Sequence, residues 1–360
     1  MTIIAGILGT LLILTTLWDA FETVVLPRRV TRRVRLSRVV LRTAWAGWSR
    51  LASRIRARGR RDAYFGFFGP LMLLVLLGIW AAGLIAGFAI LHWALGSPLA
   101  APEGKAHFST DLYMSGTTFF TLGLGDVVPR SAPARILVVF EAGLGFGFLA
   151  MTISYLPVFY QSFSRREARI SMLDAWAGSP PAAGELIRRL GTEAPVLLRP
   201  FLQEWEAWSA ELLETNVSYP ILAFFRSQHD NQSWLGALTT ILDTCALVIA
   251  YVEVAPVRLA ELTFAMARHA VVDLCQILDA PPRPPEGERF SPADLDRLQG
   301  VLRNAGVPLR VGSEAAARFA ELRRMYEPYV LALSRRLFLD LPAWFPAPNA
   351  RDNWQKSAWH

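Results

Sequence analysis

The chain has 360 residues, of which 53% are hydrophobic, and it carries a formal net charge of +7. It is too apolar for an ordinary soluble protein and too rich in charged residues to lie wholly in lipid, so we expect a membrane part and a soluble part. Thirteen of the 37 Lys and Arg residues lie within residues 28–61, directly after an apolar run, which favours lipid headgroups and argues against nucleic acid as a partner.

The first predicted element is a transmembrane helix over residues 3–26, inside a predicted segment 1–27. A run of this length can cross a hydrocarbon layer of about 30 Å. Because arginines follow it at once, the positive-inside rule predicts an N-terminus outside the membrane. Asp19 and Glu22 lie near its inner end. They are either a proton or cation relay or, as we favour, partners for the nearby arginines.

The segment 28–63 is predicted to form one basic amphipathic helix that lies flat on the inner membrane surface. Trp45 and Trp48 belong to its apolar face, and the arginines of residues 28–61 are expected to bind anionic headgroups. A voltage-sensing helix is a further interpretation, although one preceding span gives too little shielding for it. That interpretation depends on a set of regularly spaced arginines: Arg32, Arg35, Arg38 and Arg42.

Two more apolar runs, residues 64–95 and 134–161, are predicted to span the membrane, with His92 and His107 at interfacial or external positions. Between these runs, Ser109 is the predicted N-cap of a short helix. This helix leads into Thr121-Leu122-Gly123-Leu124-Gly125-Asp126. The two glycines reach dihedral angles that side chains forbid, so successive C=O groups can point toward one axis and replace the water around a cation.

This run resembles the T-V-G-Y-G-D selectivity filter of potassium channels, and its Leu form resembles the second pore loop of some animal two-pore-domain potassium channels. The resemblance covers residues 64–161 and implies a pore domain, 64–163, made of an outer helix, a re-entrant pore helix with its filter loop, and an inner helix. It implies that Asp126 rings the outer mouth and that four chains surround one ion, as a homotetramer. The carbonyls implied to line the K⁺ sites are those of Thr121, Leu122, Gly123, Leu124 and Gly125.

The sequence departs from the family pattern at Leu122 and Leu124, where the family usually has Val and Tyr. With the tyrosine hydroxyl lost, we expect apolar packing against Tyr113 and Phe119 to support the loop, and selectivity for K⁺ over Na⁺ stays open. Phe120 should make the inner vestibule more apolar.

On the inner helix, the resemblance implies a hinge or gate at four residues: Gly143, Gly145, Gly147 and Pro157. Close helix packing is the alternative for the glycines, and both roles can hold together. Glu141 would either face the central cavity or, as we favour, brace the pore helix through Thr117 and Thr118 behind the filter.

Residues 164–360 are predicted to form a cytoplasmic, all-helical domain without a recognised family pattern. Residues 234–254 could span a membrane, but Asp243 and Glu253 favour a core helix. Cys245 and Cys275 are expected to be reduced, buried thiols. The predicted helices of this domain are residues 167–176, 185–190, 197–214, 234–254, 260–278, 292–305 and 313–339.

Together these features predict an all-α membrane protein with three transmembrane helices, a re-entrant pore helix and a cytosolic helical domain. We expect a tetrameric, potassium-preferring channel of a bacterial inner membrane, with K⁺ as permeant ion, no cofactor and the helical domain as a candidate regulator. The alternatives are a weakly selective monovalent cation channel and a non-conducting, membrane-anchored scaffold or sensor. The sequence contains no catalytic constellation, so we do not expect an enzyme.

Overall fold

The structure is a computed structural model that describes residues 2–26, 35–102, 104–229, 231–253, 255–284 and 289–346. The fold is almost entirely helical, which confirms the predicted all-α membrane protein. Within the described residues, three helices are long and apolar enough to cross a membrane, namely Thr2–Val24, Arg58–Ala94 and Ala132–Ala177. The chain divides into two compact units, Met1–Gln161 and Ser162–His360. The finer predicted segment boundaries stay predictions.

Among its described residues, the first unit holds five α-helices and most of a sixth. Their bounds are α1 (Thr2–Ala20, followed by a π-helical turn at Phe21–Val25), α2 (Leu36–Ala52), α3 (Arg58–Gly66), α4 (Phe68–Ala94), α5 (Phe108–Phe119) and α6 (Ala132–Ala177). Two short strands, β1 (Leu99–Ala100) and β2 (Val128–Pro129), flank α5 in sequence and pair antiparallel.

Helices α1 and α4 approach each other at glycines. A Cβ atom on Gly87 would lie 2.6 Å from Ile13 Cγ1, and one on Gly83 would lie 2.8 Å from Thr16 Oγ1. Small residues let two apolar helices come close where a larger side chain would hold them apart. Gly83 and Gly87 therefore seat α1 against α4, whereas no described atom lies within 4 Å of a Cβ atom built on Gly78.

The two acidic residues of the first span have different partners. Glu22 Oε2 lies 3.4 Å from Arg35 Nε, as the pairing interpretation predicts. Asp19 is 4% exposed and accepts hydrogen bonds from the Ser37 amide at 3.1 Å and from Trp80 Nε1 at 2.9 Å. Since Ser37 is the second residue of α2, Asp19 caps that helix, which gives it a structural role in place of a relay.

The prediction of one continuous basic helix is wrong, because residues 53–57 separate α2 from α3. The ring of Trp45 packs at centroid distances of 5.3 Å from Phe65 and 4.7 Å from Phe68. The break folds the aromatic face of α2 onto α3 and α4, so that face is covered by protein. Residues 27–34, which include Arg28 and Arg32, lie outside the described residues, so the voltage-sensor interpretation stays untested.

In the part of the chain that the structure describes, the second unit contains the end of α6 and six further α-helices. They confirm the predicted helical segments to within a few residues, except that the predicted helix 167–176 is the end of α6 and not a separate helix. They are α7 (Ala183–Leu190), α8 (Ala194–Ser218), α9 (Trp234–Ala250), α10 (Val257–Ile277), α11 (Pro292–Asn304) and α12 (Ser313–Leu337). Every residue of α9 is buried within the unit, as expected of a core helix, and Asp243 in it pairs with Arg289 at 3.0 Å. Cys245 and Cys275 are buried and free, as predicted.

Candidate pore site

Helix α5 presents one buried face to the rest of the first unit. Its N-cap is His107, whose amide donates to Thr110 Oγ1 at 3.2 Å, so the prediction of Ser109 is wrong because the helix already begins at Phe108. Its buried residues recur with helical spacing and fix its rotation. They are Asp111, Met114, Ser115 and Phe119.

The C-terminus of α5 closes in a Schellman motif. The Thr121 amide donates to the Thr118 carbonyl at 2.9 Å, and the Leu122 amide donates to the Thr117 carbonyl at 2.8 Å. Thr121, the residue after the cap, has φ +58°. A β-branched residue rarely adopts this left-handed conformation, and such strain is typical of functional sites.

Beyond this cap, the sign of φ alternates along the predicted filter. Thr121, Gly123 and Gly125 have φ values of +58°, +56° and +80°, whereas Leu122 and Leu124 between them are not left-handed. Alternation between left- and right-handed residues is a backbone that can carry successive C=O groups on the same side of the chain. The predicted ion-coordinating residues therefore have a conformation suited to that role.

The side chains around the loop differ from expectation. Leu122 is 61% exposed and Leu124 is 63% exposed, so within one chain they lack the predicted apolar packing against Tyr113 and Phe119. Phe119 is instead buried in a core cluster with residues of α1, α4 and α6. The Tyr113 hydroxyl donates to Asp126 Oδ2 at 2.8 Å and thereby ties α5 to the end of the loop.

The segment after the loop is held at both backbone and side-chain level. Leu99 pairs with Pro129 in the two-stranded sheet, and the Arg130 amide donates to the Pro98 carbonyl at 2.8 Å. Val127 packs in a small buried cluster with Leu99 and Met114. The loop 121–126 is therefore fixed at its start by the α5 cap and at its end by this sheet and cluster.

The predicted hinge residues fall on one uninterrupted helix, α6, which includes Pro157. Gly145 packs directly against the end of α5, since a Cβ atom there would lie 2.0 Å from the Phe119 carbonyl oxygen. A Cβ atom built on Gly143 or Gly147 would have none of the described atoms within 4 Å in the single chain. The packing interpretation thus holds for Gly145, and the hinge and gate roles stay predictions.

Glu141 is fully buried on α6, and its neighbours are His92 and Ser115. Its Oε2 atom lies 3.8 Å from Nε2 of His92, which is also fully buried. The expected partners of Glu141 were Thr117 and Thr118, but Thr117 donates instead to the Met114 carbonyl. His92 is thus packed inside the protein, and its predicted interfacial or external position relative to the membrane stays a prediction. The sequence signal for this buried pair was a histidine near the end of one apolar helix together with a glutamate inside another.

Residues 72–162 match a family model described as ion channel. Over 90 residues the chain is 29% identical to an uncharacterized membrane protein, YdjJ, of Bacillus subtilis strain 168. This aligned segment covers 24% of the present chain and 26% of YdjJ. The chain thus matches about a quarter of the length of this curated relative. No solved structure matches the chain.

The family match encloses most of α4, all of α5, the loop 121–126 and the first part of α6. It supports an ion-channel family for this segment and points to a channel or transporter rather than an enzyme. The three apolar helices and the membrane-protein relative support a membrane location.

Proposed function

We propose that this protein is a homotetrameric, potassium-preferring channel that conducts passively through the backbone carbonyls of residues 121–125. In the tetramer, Asp126 rings the outer mouth and draws cations to it. In this proposal, the hinge or gate of the inner helix consists of Gly143, Gly145, Gly147 and Pro157. The helical second unit is the candidate regulator.

The observation that carries this proposal is the alternation of φ at Thr121, Gly123 and Gly125, directly after a capped helix and inside the ion-channel family match. One chain provides a single row of carbonyls, whereas a cation stripped of water needs oxygens on all sides. Four copies about one axis supply them.

The loop also bears on selectivity. The side chains of Leu122 and Leu124 are exposed in one chain and carry no polar group. Among the described residues, the loop is supported by the side-chain hydrogen bond from Tyr113 to Asp126. A loop with few braces can adapt to smaller ions. A weakly selective monovalent cation channel is therefore the second candidate function.

Rubidium uptake into K⁺-loaded proteoliposomes tests conduction directly. We expect uptake by the wild-type protein and its loss in Gly123→Asp, because a side chain at φ +56° is strained and disturbs the row of backbone carbonyls. The matched control is Gly300→Asp on α11, where a Cβ atom meets nothing within 4 Å and φ is ordinary. Native mass spectrometry of the same preparations should give the mass of four chains.

Reversal potentials in mixed K⁺ and Na⁺ separate the two channel types, since a value near the K⁺ equilibrium potential supports potassium preference. A folded, tetrameric protein that takes up no rubidium under any voltage or lipid composition contradicts conduction. That outcome favours a membrane-anchored scaffold or sensor.

We further propose that the basic surface of α2 and α3 contacts anionic lipid headgroups at the inner leaflet of a bacterial plasma membrane. Exposed arginines on and between these helices include Arg38, Arg50, Arg54 and Arg60. Clustered arginines beside a transmembrane helix attract anionic lipids at about 1 kcal/mol each. Under the positive-inside rule, the proposed topology has the N-terminus on the outer side, and Arg165, Arg166 and Arg169 after the third span favour a cytoplasmic second unit.

A further inference from the structure

Four fully buried polar side chains come together on three helices of the first unit. His92 lies on α4, Asp111 and Ser115 lie on α5, and Glu141 lies on α6. Ser115 and His92 flank the Glu141 carboxyl group, and His92 is also near enough to Asp111 for a charge interaction. Asp111 Oδ2 accepts a hydrogen bond from the Ser97 hydroxyl at 2.6 Å. We name His92, Asp111, Ser115 and Glu141 the polar cluster.

Within the part of the chain that the structure describes, most hydrogen-bonding atoms of the polar cluster make no hydrogen bond, although Glu141 Oε2 and His92 Nε2 lie 3.8 Å apart. These atoms are both ring nitrogens of His92, both carboxyl oxygens of Glu141, Ser115 Oγ and Asp111 Oδ1. Leaving a buried polar group unpaired costs about 1–3 kcal/mol, and more if the group is charged. A stable protein keeps such a set only if its charges and hydrogen bonds can be satisfied in some protonation state.

Protons are the species that this chemistry takes up. An imidazole with two carboxyl groups carries a net charge of –1 when the imidazole is protonated and both carboxyl groups are ionised. One further proton, bound by a carboxylate, makes the set neutral and turns that carboxylate oxygen into a hydrogen-bond donor. Because a buried site disfavours net charge, the gain or loss of this proton changes which of the three helices are hydrogen-bonded together.

We propose that the polar cluster is a proton-binding site whose occupancy sets how firmly α5 is held against α6, and thereby controls conduction. This inference rests on the proposed channel function, because conduction is the property that the proton would regulate.

The path from the cluster to the filter is short. Glu141 lies one helical turn before Gly145 on α6, and Ser115 lies one turn before Phe119 on α5. The polar cluster is therefore one helical turn along the α5–α6 interface from the contact between Gly145 and the Phe119 carbonyl. Thr121, the first filter residue, follows Phe119 by two positions. A change in hydrogen bonding within the polar cluster therefore alters the Gly145–Phe119 contact, which supports the start of the loop.

Other titratable groups of the packed elements lie elsewhere. Helix α1 also packs on α4, but the titratable residues of α1 lie near its C-terminal end. There Asp19 accepts a hydrogen bond from Trp80, which lies twelve residues before His92 on α4. Helices α2 and α3 follow that same end of α1 in the chain and precede the start of α4, opposite to His92. His107 and Arg135, at the starts of α5 and α6, are exposed. Asp111 and Glu141 are thus the titratable groups that face His92 among the described residues.

The test measures rubidium flux of the full-length protein at external pH values between about 5 and 8, where an imidazole exchanges its proton. We expect the wild-type flux to change about threefold or more over this range. Glu141→Gln and His92→Gln, which keep side-chain volume nearly constant, should flatten the profile. His107→Gln, at an exposed histidine on the same side of the first unit, is the matched control and should retain it. Profiles that stay unchanged in both cluster variants overturn the proposal.

A second measurement does not depend on conduction. The ¹⁵N shifts of the His92 ring, followed against pH in the full-length protein, should show a titration midpoint that moves by about one pH unit or more in Glu141→Gln, a tenfold change in proton affinity. An unmoved midpoint overturns the proton site even if flux depends on pH. If wild-type flux is absent at every pH but the midpoint moves, the channel proposal and the control of conduction fail, and the proton site stands.

Discussion

Gly145 brings α6 into backbone contact with the end of α5. Its missing side chain leaves room for the Phe119 carbonyl, which would lie 2.0 Å from a Cβ atom. The glycines two residues away on either side, Gly143 and Gly147, have no described atom within 4 Å of a Cβ atom built on them in the single chain. The three glycines of this run therefore have separable roles, which a substitution series can measure.

We expect Gly145→Ala to lower the free energy of unfolding by about 1–3 kcal/mol, because the methyl group forces α5 and α6 apart. Gly143→Ala should instead be neutral or stabilising by up to about 1 kcal/mol, since alanine favours the helix. Denaturant unfolding in detergent, followed by tryptophan fluorescence, measures both. Equal stability of the two variants would contradict the packing role and leave Gly145 as a hinge.

The hydrogen bond from Tyr113 to Asp126 is the residue-scale brace of the loop. We expect Tyr113→Phe to preserve folding and to lower the preference for K⁺ over Na⁺, because the hydrogen bond from Tyr113 to the Asp126 carboxyl group at the mouth is lost. Reversal potentials under mixed-ion conditions report the change. Tyr329→Phe on α12 is a matched control outside the first unit. An unaltered reversal potential in Tyr113→Phe would mean that contacts between chains hold the loop.

At the scale of elements, the sequence predicted where helices lie better than which faces they bury. Apolar runs and helical periodicity predicted the three spans and the helices of the second unit, because length and period depend on local sequence alone. The break between α2 and α3 and the burial of His92 were missed. Both depend on partners distant in sequence, such as Phe68 for Trp45 and Glu141 for His92.

In the candidate site too, features set by local sequence were predicted and features set by distant contacts were not. The motif predicted which residues form the loop, and the left-handed φ values fall on both of its glycines. The third left-handed residue, Thr121, was not foreseen, because its conformation follows from the Schellman bonds that end α5. Likewise, the brace at Asp126 required the position of Tyr113 on the exposed side of α5, which the motif alone does not contain.

Helix α7 contains an acid-sensitive contact. Glu185 accepts hydrogen bonds from Arg188 at 2.6 Å and from Arg189 at 2.7 Å. Burial alone would raise the pKa of this carboxyl group, but the hydrogen bonds and charges of the two arginines outweigh it and hold the pKa below the ordinary value of 4.5. A lowered pKa in the folded state stabilises the fold above the ordinary pKa, and this contribution is lost as the pH falls through the folded-state value.

We therefore expect Glu185→Gln to lower stability at neutral pH by up to about 1 kcal/mol and to have little effect in acid, where the wild-type carboxyl group is already protonated. Urea midpoints of the full chain at neutral and acidic pH measure the difference. Glu214→Gln, at an exposed position on α8, is the control. A loss of stability in Glu185→Gln that is the same at both pH values would contradict the linkage.

At the scale of the whole molecule, one chain leaves a long apolar face of α6 uncovered. Its exposed residues include Ile136, Val139, Phe140, Phe146, Leu149 and Ile153. Lipid or a second copy of the chain can cover such a face, and the exposed leucines of the loop lie on the same unit. In the proposed tetramer, these surfaces are where neighbouring copies meet, so the homotetramer and the filter are parts of a single hypothesis.

The proposed topology can be read by thiol labelling, because the chain's own cysteines should not react. Cys245 and Cys275 are buried, and burial raises the pKa of the Cys275 thiol to about 12 and that of Cys245 further, so neither carries appreciable thiolate at neutral pH. We expect a membrane-impermeant maleimide to label Lys105→Cys in intact cells. Gly300→Cys on α11, in the second unit, should react only after the cells are opened. The reverse labelling pattern would place residues 96–109 in the cytoplasm. It would contradict the membrane orientation inferred from the arginines of residues 28–61 and would put the pore mouth at Asp126 on the cytoplasmic side.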